Sequence, residues 1–254
     1  MSNEIKPNPK LNTLFYVLSA IFIANVILAE LIGMKIFSLS KMFGIQTELP
    51  MSCGILIWPL VFILSDIINE YFGRKGVQRI SILAAILIAY ALTLVLISTH
   101  LPPADFWMVK YGKDLSGNPL LINDAYSIIF RQGINIIIGS ITAFLISQMI
   151  DVYAFHYIRK ITGHKQLWLR ATGSTVISQI IDSFVVLFVA FYLLGGTTRW
   201  TFREVMTVGT MQYLYKISFA ILLTPVIYIV HFIIDRYLGK KGADDIIEET
   251  DKNW

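Results

Sequence analysis

The chain is poor in the residues that mark soluble and disulfide-bonded proteins. It has one cysteine, Cys53, in 254 residues. That excludes an intrachain disulfide framework and a thiolate metal cage. Only 15% of residues are charged, against roughly 25% in an average globular domain. There is no Walker A sequence, no H-E-x-x-H and no G-x-S-x-G, so the usual signatures of an ATPase, a zinc protease and a serine hydrolase are missing. The four histidines, His100, His156, His164 and His231, are scattered toward boundaries and loops and suggest no metal site. No cofactor is expected.

What is present is apolar. Hydrophobic residues make up 56% of the chain, and mean hydropathy is +0.65. A bilayer core takes ~20 mostly apolar helical residues. Six runs meet that length: 12–33, 52–72, 77–99, 126–157, 172–194 and 211–235. They are continuous rather than alternating, which favours helices over a membrane barrel. The expectation is an all-α integral membrane protein with six transmembrane helices in one bundle (12–236), between polar tails at 1–11 and 237–254. The last of these reads as frayed.

The formal charge is +4, but the basic residues form no stripe suited to nucleic acid. They cluster between apolar runs, as in "GRKGVQR" and "RKITGHKQLWLR". With six spans, 13 of the 21 lysines and arginines fall on the side holding both termini. By the positive-inside rule that side is cytoplasmic. The segment 100–124, rich in proline, glycine and aromatics, reads as a long outer loop and a candidate lid.

Charged groups inside hydrocarbon cost a few kcal/mol each, roughly 2.5–3.5 on insertion scales. The spans nevertheless keep Glu30, Asp66, Glu70, Arg131, Asp151, Asp182 and Lys216, with the amides Asn25, Asn69, Gln148, Gln179 and Gln212. "SQMID" (147–151) and "SQIID" (178–182) each set a glutamine three residues from an aspartate, on one helical face. Asp182 falls near the centre of its span, Asp66 past the middle of the second, and Glu30 and Lys216 toward the outer end. Asp151 and Glu70 fall near the cytoplasmic boundary, where they either join the polar track or simply reach water. Lys216 either serves the site or neutralises Asp182 or Glu30 as a structural ion pair.

At these residues a family resemblance emerges. "WPLVFILSDIINEYFGRKG" (58–76), "GSITAFLISQMIDVYAFHYIRKITG" (139–163), "WLRATGSTVISQIIDSFVVLFVAFY" (168–192) and "YLYKISFAILLTPVIYIV" (213–230) resemble the queuosine precursor transporter family, also called the vitamin uptake transporter family. The resemblance covers most of residues 12–236. It implies a six-helix inner-membrane importer of 7-cyano-7-deazaguanine or its aminomethyl relative. It also implies a fold similar to the substrate-binding subunits of energy-coupling-factor transporters. Asp66, Glu70, Asp151, Asp182 and Lys216 match family positions; Arg131 receives no role.

The chemistry agrees with that implication. A deazaguanine edge offers two adjacent N–H donors, which a carboxylate such as Asp182 accepts as a bidentate pair. Its carbonyl needs a donor, Gln179 or Lys216, and its flat ring an aromatic face, with Trp58, Phe191 and Tyr213 as candidates. The predicted substrate-binding set is therefore Asp182, Gln179, Asp66, Glu70, Lys216, Asp151, Gln148, Asn25, Glu30 and Trp58. Expected partners are a deazapurine and the bilayer, with no nucleic acid and with homo-oligomers or an ATPase left open. The competing reading is a substrate-binding subunit of an energy-coupling complex, for which "AIFIA" (20–24) offers a close-packing A-x3-A pattern. An intramembrane enzyme lacks any supporting motif.

Overall fold

The computed structural model describes residues 9–42, 44, 46, 50–113, 116, 117, 119–162, 167–196, 199–240, 242, 243, 246 and 247. His164, most of the predicted N-terminal tail and the end of the C-terminal tail lie outside them.

Helices dominate. They are α1 (Pro9–Gly33), α2 (Leu39–Met42), α3 (Trp58–Ser98), α4 (Asp105–Lys110), α5 (Ile122–Gln132), α6 (Ile134–Thr162), α7 (Leu167–Leu187), α8 (Phe202–Leu222) and α9 (Thr224–Leu238). A π-helical turn, Phe188–Leu193, continues α7. A two-stranded antiparallel hairpin pairs β1 (Ile36–Ser38) with β2 (Pro50–Ser52). Four stretches are long and apolar enough to cross a membrane: Pro9–Gly33, Trp58–Ser98, Ile122–Thr162 and Trp168–Leu193. A fifth is the α8–α9 pair, bent by 44°. The molecule is an all-α multi-pass membrane protein.

Burial is inverted relative to a soluble domain. Ile82, Leu83, Ile86, Leu94 and Ile97 on α3, and Ile229, Phe232 and Ile233 on α9, face outward. In water such patches would drive aggregation; against acyl chains they cost nothing. Glu70, Asn69, Gln148, Gln179 and Arg170 are almost wholly buried. Around them packs an apolar core that includes Phe22, Val26, Val61, Ile67, Phe144, Val152 and Phe155.

Several predicted boundaries are corrected. The run 52–72 does not start as helix: Pro50–Ser52 is strand, Cys53–Leu56 is a 3-10 turn capped by the Ser52 hydroxyl, and α3 begins at Trp58 with Pro59 in its first turn. Hydropathy cannot see this, because Met51 and Ile55 are as apolar as a span. The run 77–99 is continuous with it in α3, whose backbone leaves helical geometry at Gly73 (φ 66°, ψ −175°). The span predicted at 126–157 is α5 and α6, parted at Gly133. The span at 172–194 begins earlier, with α7 at Leu167. The span at 211–235 begins earlier, at Phe202, where Thr201 and Glu204 form a capping box. It is broken at Leu223, because Pro225 has no N–H to give and its ring crowds the preceding turn. The tail after 237 is not merely frayed: Ala243 is buried, and Ile246 and Ile247 pack on the core.

Candidate functional site

Helices α6 and α7 form the most intimate pair in the bundle. Gly139 makes this possible: a Cβ there would stand 2.7 Å from the carbonyl oxygen of Val186. Close approach brings Ser147 Oγ to 3.4 Å from Asp182 Oδ1, and Ser178 Oγ to 3.0 Å from Asp151 Oδ1. Both "SQxID" segments thus present their carboxylate to a serine of the other helix.

A cavity lies between α1, the hairpin, α3, α6, α7 and α8, and holds about 950 Å³ of empty space, its open mouth included. Exposed Ile36 and Pro50 of the hairpin mark the mouth. Glu30, Ser140, Asp182, Gln212 and Lys216 supply its polar lining. Trp58 supplies one aromatic wall. Phe191 and Trp200 supply another, stacked with centroids 4.2 Å apart and planes 14° apart. The π-helical turn places Phe191 there, and the Trp200 N–H donates to the Phe191 carbonyl at 3.0 Å.

Within this cavity Lys216 Nζ donates to Asp182 Oδ2 as a buried ion pair. Glu30 has a different environment. The Ser140 hydroxyl donates to its Oε1, and no described residue donates to its second oxygen, although the residue is only 7% exposed. Glu30 is therefore the cavity carboxylate with accepting capacity to spare, while Asp182 is already neutralised.

The other predicted residues are brought elsewhere. Glu70 is the centre of a buried ion cluster. It accepts from Arg159 Nη1 at 3.3 Å, from Arg170 Nε at 3.1 Å, and from Arg170 Nη2 on its other oxygen. The reading of Glu70 and Asp151 as boundary groups reaching water is corrected: they are 1% and 6% exposed. Arg159 and Arg170, counted above among loop charges, are inside with Glu70; Arg159 also donates to the Ile247 carbonyl at 3.4 Å. His231 is likewise not a loop residue but buried against the Tyr71 hydroxyl at 2.9 Å, which donates to Asp235. Gln148 donates to Ser65 and lies outside the cavity. Asn25 bonds the Ile21 carbonyl of its own helix at 2.8 Å. Tyr213 donates to the Val176 carbonyl and does not line the cavity. Gln179 is 1% exposed and neither of its amide atoms has a hydrogen-bond partner; it does not share the main cavity with Asp182, as its spacing suggested. Asp66 lines a second, smaller cavity. Arg131 acquires a role at a helix end, donating to the Thr99 hydroxyl and carbonyl at 3.1 and 3.3 Å.

Of the described residues of segment 100–124, none lines the cavity; its α4 carries Trp107, which packs edge-on against Tyr126. Sequence reasoning missed Ser140 and Trp200. Ser140 carries one visible signal, its spacing of seven from Ser147, which stacks both hydroxyls on one face of α6. No group of three or more His, Cys, Asp or Glu among the described residues is placed to hold a metal ion.

Comparison with known proteins agrees with this inside-out, cavity-bearing bundle. Residues 52–230 match the family described as "Putative vitamin uptake transporter". A protein of Bacillus subtilis (strain 168) named "Probable queuosine precursor transporter" is 26% identical over 197 residues, covering 77% of this chain and 76% of its own. A Haemophilus influenzae protein of the same name is 24% identical over 173 residues, 67% of this chain and 63% of its own. No solved structure gives a significant match.

Proposed function

Because the chain belongs to the vitamin uptake transporter family, and so is a membrane transporter rather than an enzyme, we propose that it imports 7-deazaguanine precursors of queuosine. The solute would be 7-cyano-7-deazaguanine, its aminomethyl relative, or both. The observation that carries this reading is the main cavity itself: a carboxylate with a free oxygen, a lysine and an amide meet between two aromatic walls.

The fit is chemical. Glu30 accepts the two adjacent N–H donors of the base edge. The ring carbonyl takes a proton donor from Lys216 or Gln212. Trp58 and the Phe191–Trp200 stack cover the ring faces. Asp182 holds Lys216 in place and supplies the countercharge. Bidentate charged contacts are among the strongest hydrogen bonds. The two relatives named for queuosine precursors support the solute class.

The reading also takes six spans in an inner membrane with both termini cytoplasmic. α3 is 41 residues long, about 60 Å if straight, twice the hydrocarbon core. Trp58 lines the main cavity beside Glu30, and Ile88 lines a small cavity beside that same Glu30. A straight helix would carry Ile88 about 45 Å beyond Trp58. This supports a reading in which the chain turns back at Gly73, midway between them, α3 counts as two spans, and the main cavity faces the outer side, as an importer requires.

The test is ligand-induced stabilisation of the purified protein. 7-Cyano-7-deazaguanine should raise Tm, guanine less, and guanosine hardly at all, because its sugar replaces an N–H of the free base and adds bulk that a site fitted to the base does not accommodate. Equal shifts from all three would refute a fitted base site. A second reading, a substrate-binding subunit of an energy-coupling complex, rests on Ala20 and Ala24, which lie exposed on α1. Co-purification of an ATPase with the tagged protein would favour it.

A further inference from the structure

A second cavity lies deeper than the first, farther from the hairpin mouth. Pro59, Phe62, Ile63 and Asp66 of α3 line it, with Thr172 and Thr175 of α7, Lys216 and Ala220 of α8, and Leu223 and Ile227. It is smaller, with about 360 Å³ of empty space. Lys216 lines both cavities.

Three helices repeat the chemistry of the first cavity at greater depth. On α3, Trp58 lines the upper space, Phe62 the lower, and Asp66 follows one turn on; the Trp58 and Phe62 rings stack with centroids 5.8 Å apart and planes 22° apart. On α7, Asp182 lines the upper space and Thr175 the lower. Gln179 lies between them on that face. On α8, Gln212 lines the upper space, Ala220 the lower, and Lys216 both.

The deeper groups are also left wanting partners. Asp66 is 4% exposed, and its Oδ1 has no hydrogen-bond partner. Thr175 lines the same cavity as this carboxylate. Both amide atoms of buried Gln179 are without partners. Buried polar groups are normally satisfied, and a leftover set needs a reason. The charged groups acting on Asp66 from the packed elements are Asp151 on α6, Glu70 on α3 and Arg170 on α7; Lys216 of α8 shares its cavity.

We propose that the second cavity is an inner subsite for the same planar, base-like solute, occupied after the outer cavity and before release. Asp66 there receives the donor edge that Glu30 releases. Phe62 takes over the ring from Trp58. Gln179 stands in the partition and offers its amide to the passing solute, and Lys216 stays in reach of the ring carbonyl from either side. The cavity is too narrow to hold the solute in the present conformation, so occupation goes with a separation of α3 from α7 and α8. This rests on the import reading above.

The experiment separates binding from passage. Affinity for 7-cyano-7-deazaguanine is measured by calorimetry on purified protein, and initial uptake rate in proteoliposomes across substrate concentrations. Asp66→Asn should keep Kd within about twofold of wild type while maximal uptake falls at least tenfold. Ala220→Leu, which fills only the deeper space, should show the same split, and carries the test if Asp66→Asn fails to accumulate. Phe62→Leu should slow uptake and Phe62→Tyr restore it. Wild-type uptake by both Asp66→Asn and Ala220→Leu would overturn the inner subsite. So would parallel loss of affinity and rate in Asp66→Asn, which would assign Asp66 to the outer cavity. If the wild-type protein binds neither 7-cyano-7-deazaguanine nor its aminomethyl relative, the import reading fails and takes the subsite with it; binding with no such split removes the subsite alone.

Discussion

Glu30 and Asp182 are two carboxylates in one cavity with different partners, and the difference sets what each substitution does. Glu30 has only Ser140 as a donor, so Glu30→Gln leaves no buried cation behind and should fold normally. It replaces an acceptor oxygen by a donor facing a donor. The expected loss is about 2–4 kcal/mol of binding, by analogy with charge-assisted bonds and unsatisfied buried groups, or about 30- to 1000-fold in Kd. Titration calorimetry with 7-cyano-7-deazaguanine checks it; an unchanged Kd would remove Glu30 from recognition. Asp182 pairs with Lys216, so Asp182→Asn strands an ammonium group in the bundle and should lower Tm. Adding Lys216→Met should recover stability. If the double variant also recovers uptake, the pair is structural; if it folds but does not transport, Lys216 serves the solute.

At the scale of elements, two features hold helices in place. The first is the Glu70–Arg159–Arg170 cluster, which ties α3, α6 and α7 together below the cavities. Removing one member of a buried ionic group costs roughly 3–5 kcal/mol, chiefly through the charge left behind. Glu70→Gln should therefore cost stability of that order and reduce accumulation in the membrane, measurable as a Tm drop in detergent. Substrate should raise the Tm of this variant and of wild type by the same amount, since Glu70 lines neither described cavity. The second feature is the α6–α7 contact at Gly139. Gly139→Val would drive its side chain into the Val186 carbonyl and the Ala190 methyl. The helices would part, and Ser147 and Ser178 would move away from Asp182 and Asp151. A loss of both stability and substrate affinity is expected, against near-neutral behaviour for a valine at the outward-facing Ile146.

At the scale of the whole molecule, the turn at Gly73 decides the topology. With six spans, Lys75 and Lys110 lie on opposite faces of the membrane. In a Cys53→Ala background, single cysteines at these exposed positions should label from opposite sides with an impermeant maleimide. Labelling of both from one side would reduce the span count and turn the main cavity away from the outside. The same turn explains the high demand on residue 73: with φ at 66° and ψ at −175°, the backbone lies in a region essentially reserved for glycine, where any other residue costs roughly 1–3 kcal/mol. Gly73→Ala should be less stable than wild type by about that amount, read from the Tm of the purified variant.

The sequence by itself determined that the chain is a helical membrane protein, because hydrocarbon demands long apolar runs and any helix long enough to cross it leaves an unbroken trace in composition. It determined too that Asp66, Asp182, Glu30 and Lys216 are out of place in such runs, since a charge in hydrocarbon is conspicuous one residue at a time. Trp58 and Phe191 entered only as aromatic candidates for the flat ring that the family resemblance implied, alongside Tyr213, which does not line the cavity. What only the tertiary structure decided is who meets whom. Gln179 and Asp182 share a helical face at the spacing of three, yet only Asp182 lines the main cavity, and helical period carries no information about the walls opposite. Arg159 and Arg170 look like loop charges in a row of basic residues; they are buried because Glu70, about a hundred residues away, compensates them. Glu30 gains its spare oxygen because α6 brings only the Ser140 hydroxyl to it, a matter of packing between segments 110 residues apart. Local pattern fixes the direction a side chain leaves its helix; the identity of its neighbour depends on how the helices cross, which glycines such as Gly139 and breaks such as those at Gly73 and Pro225 set.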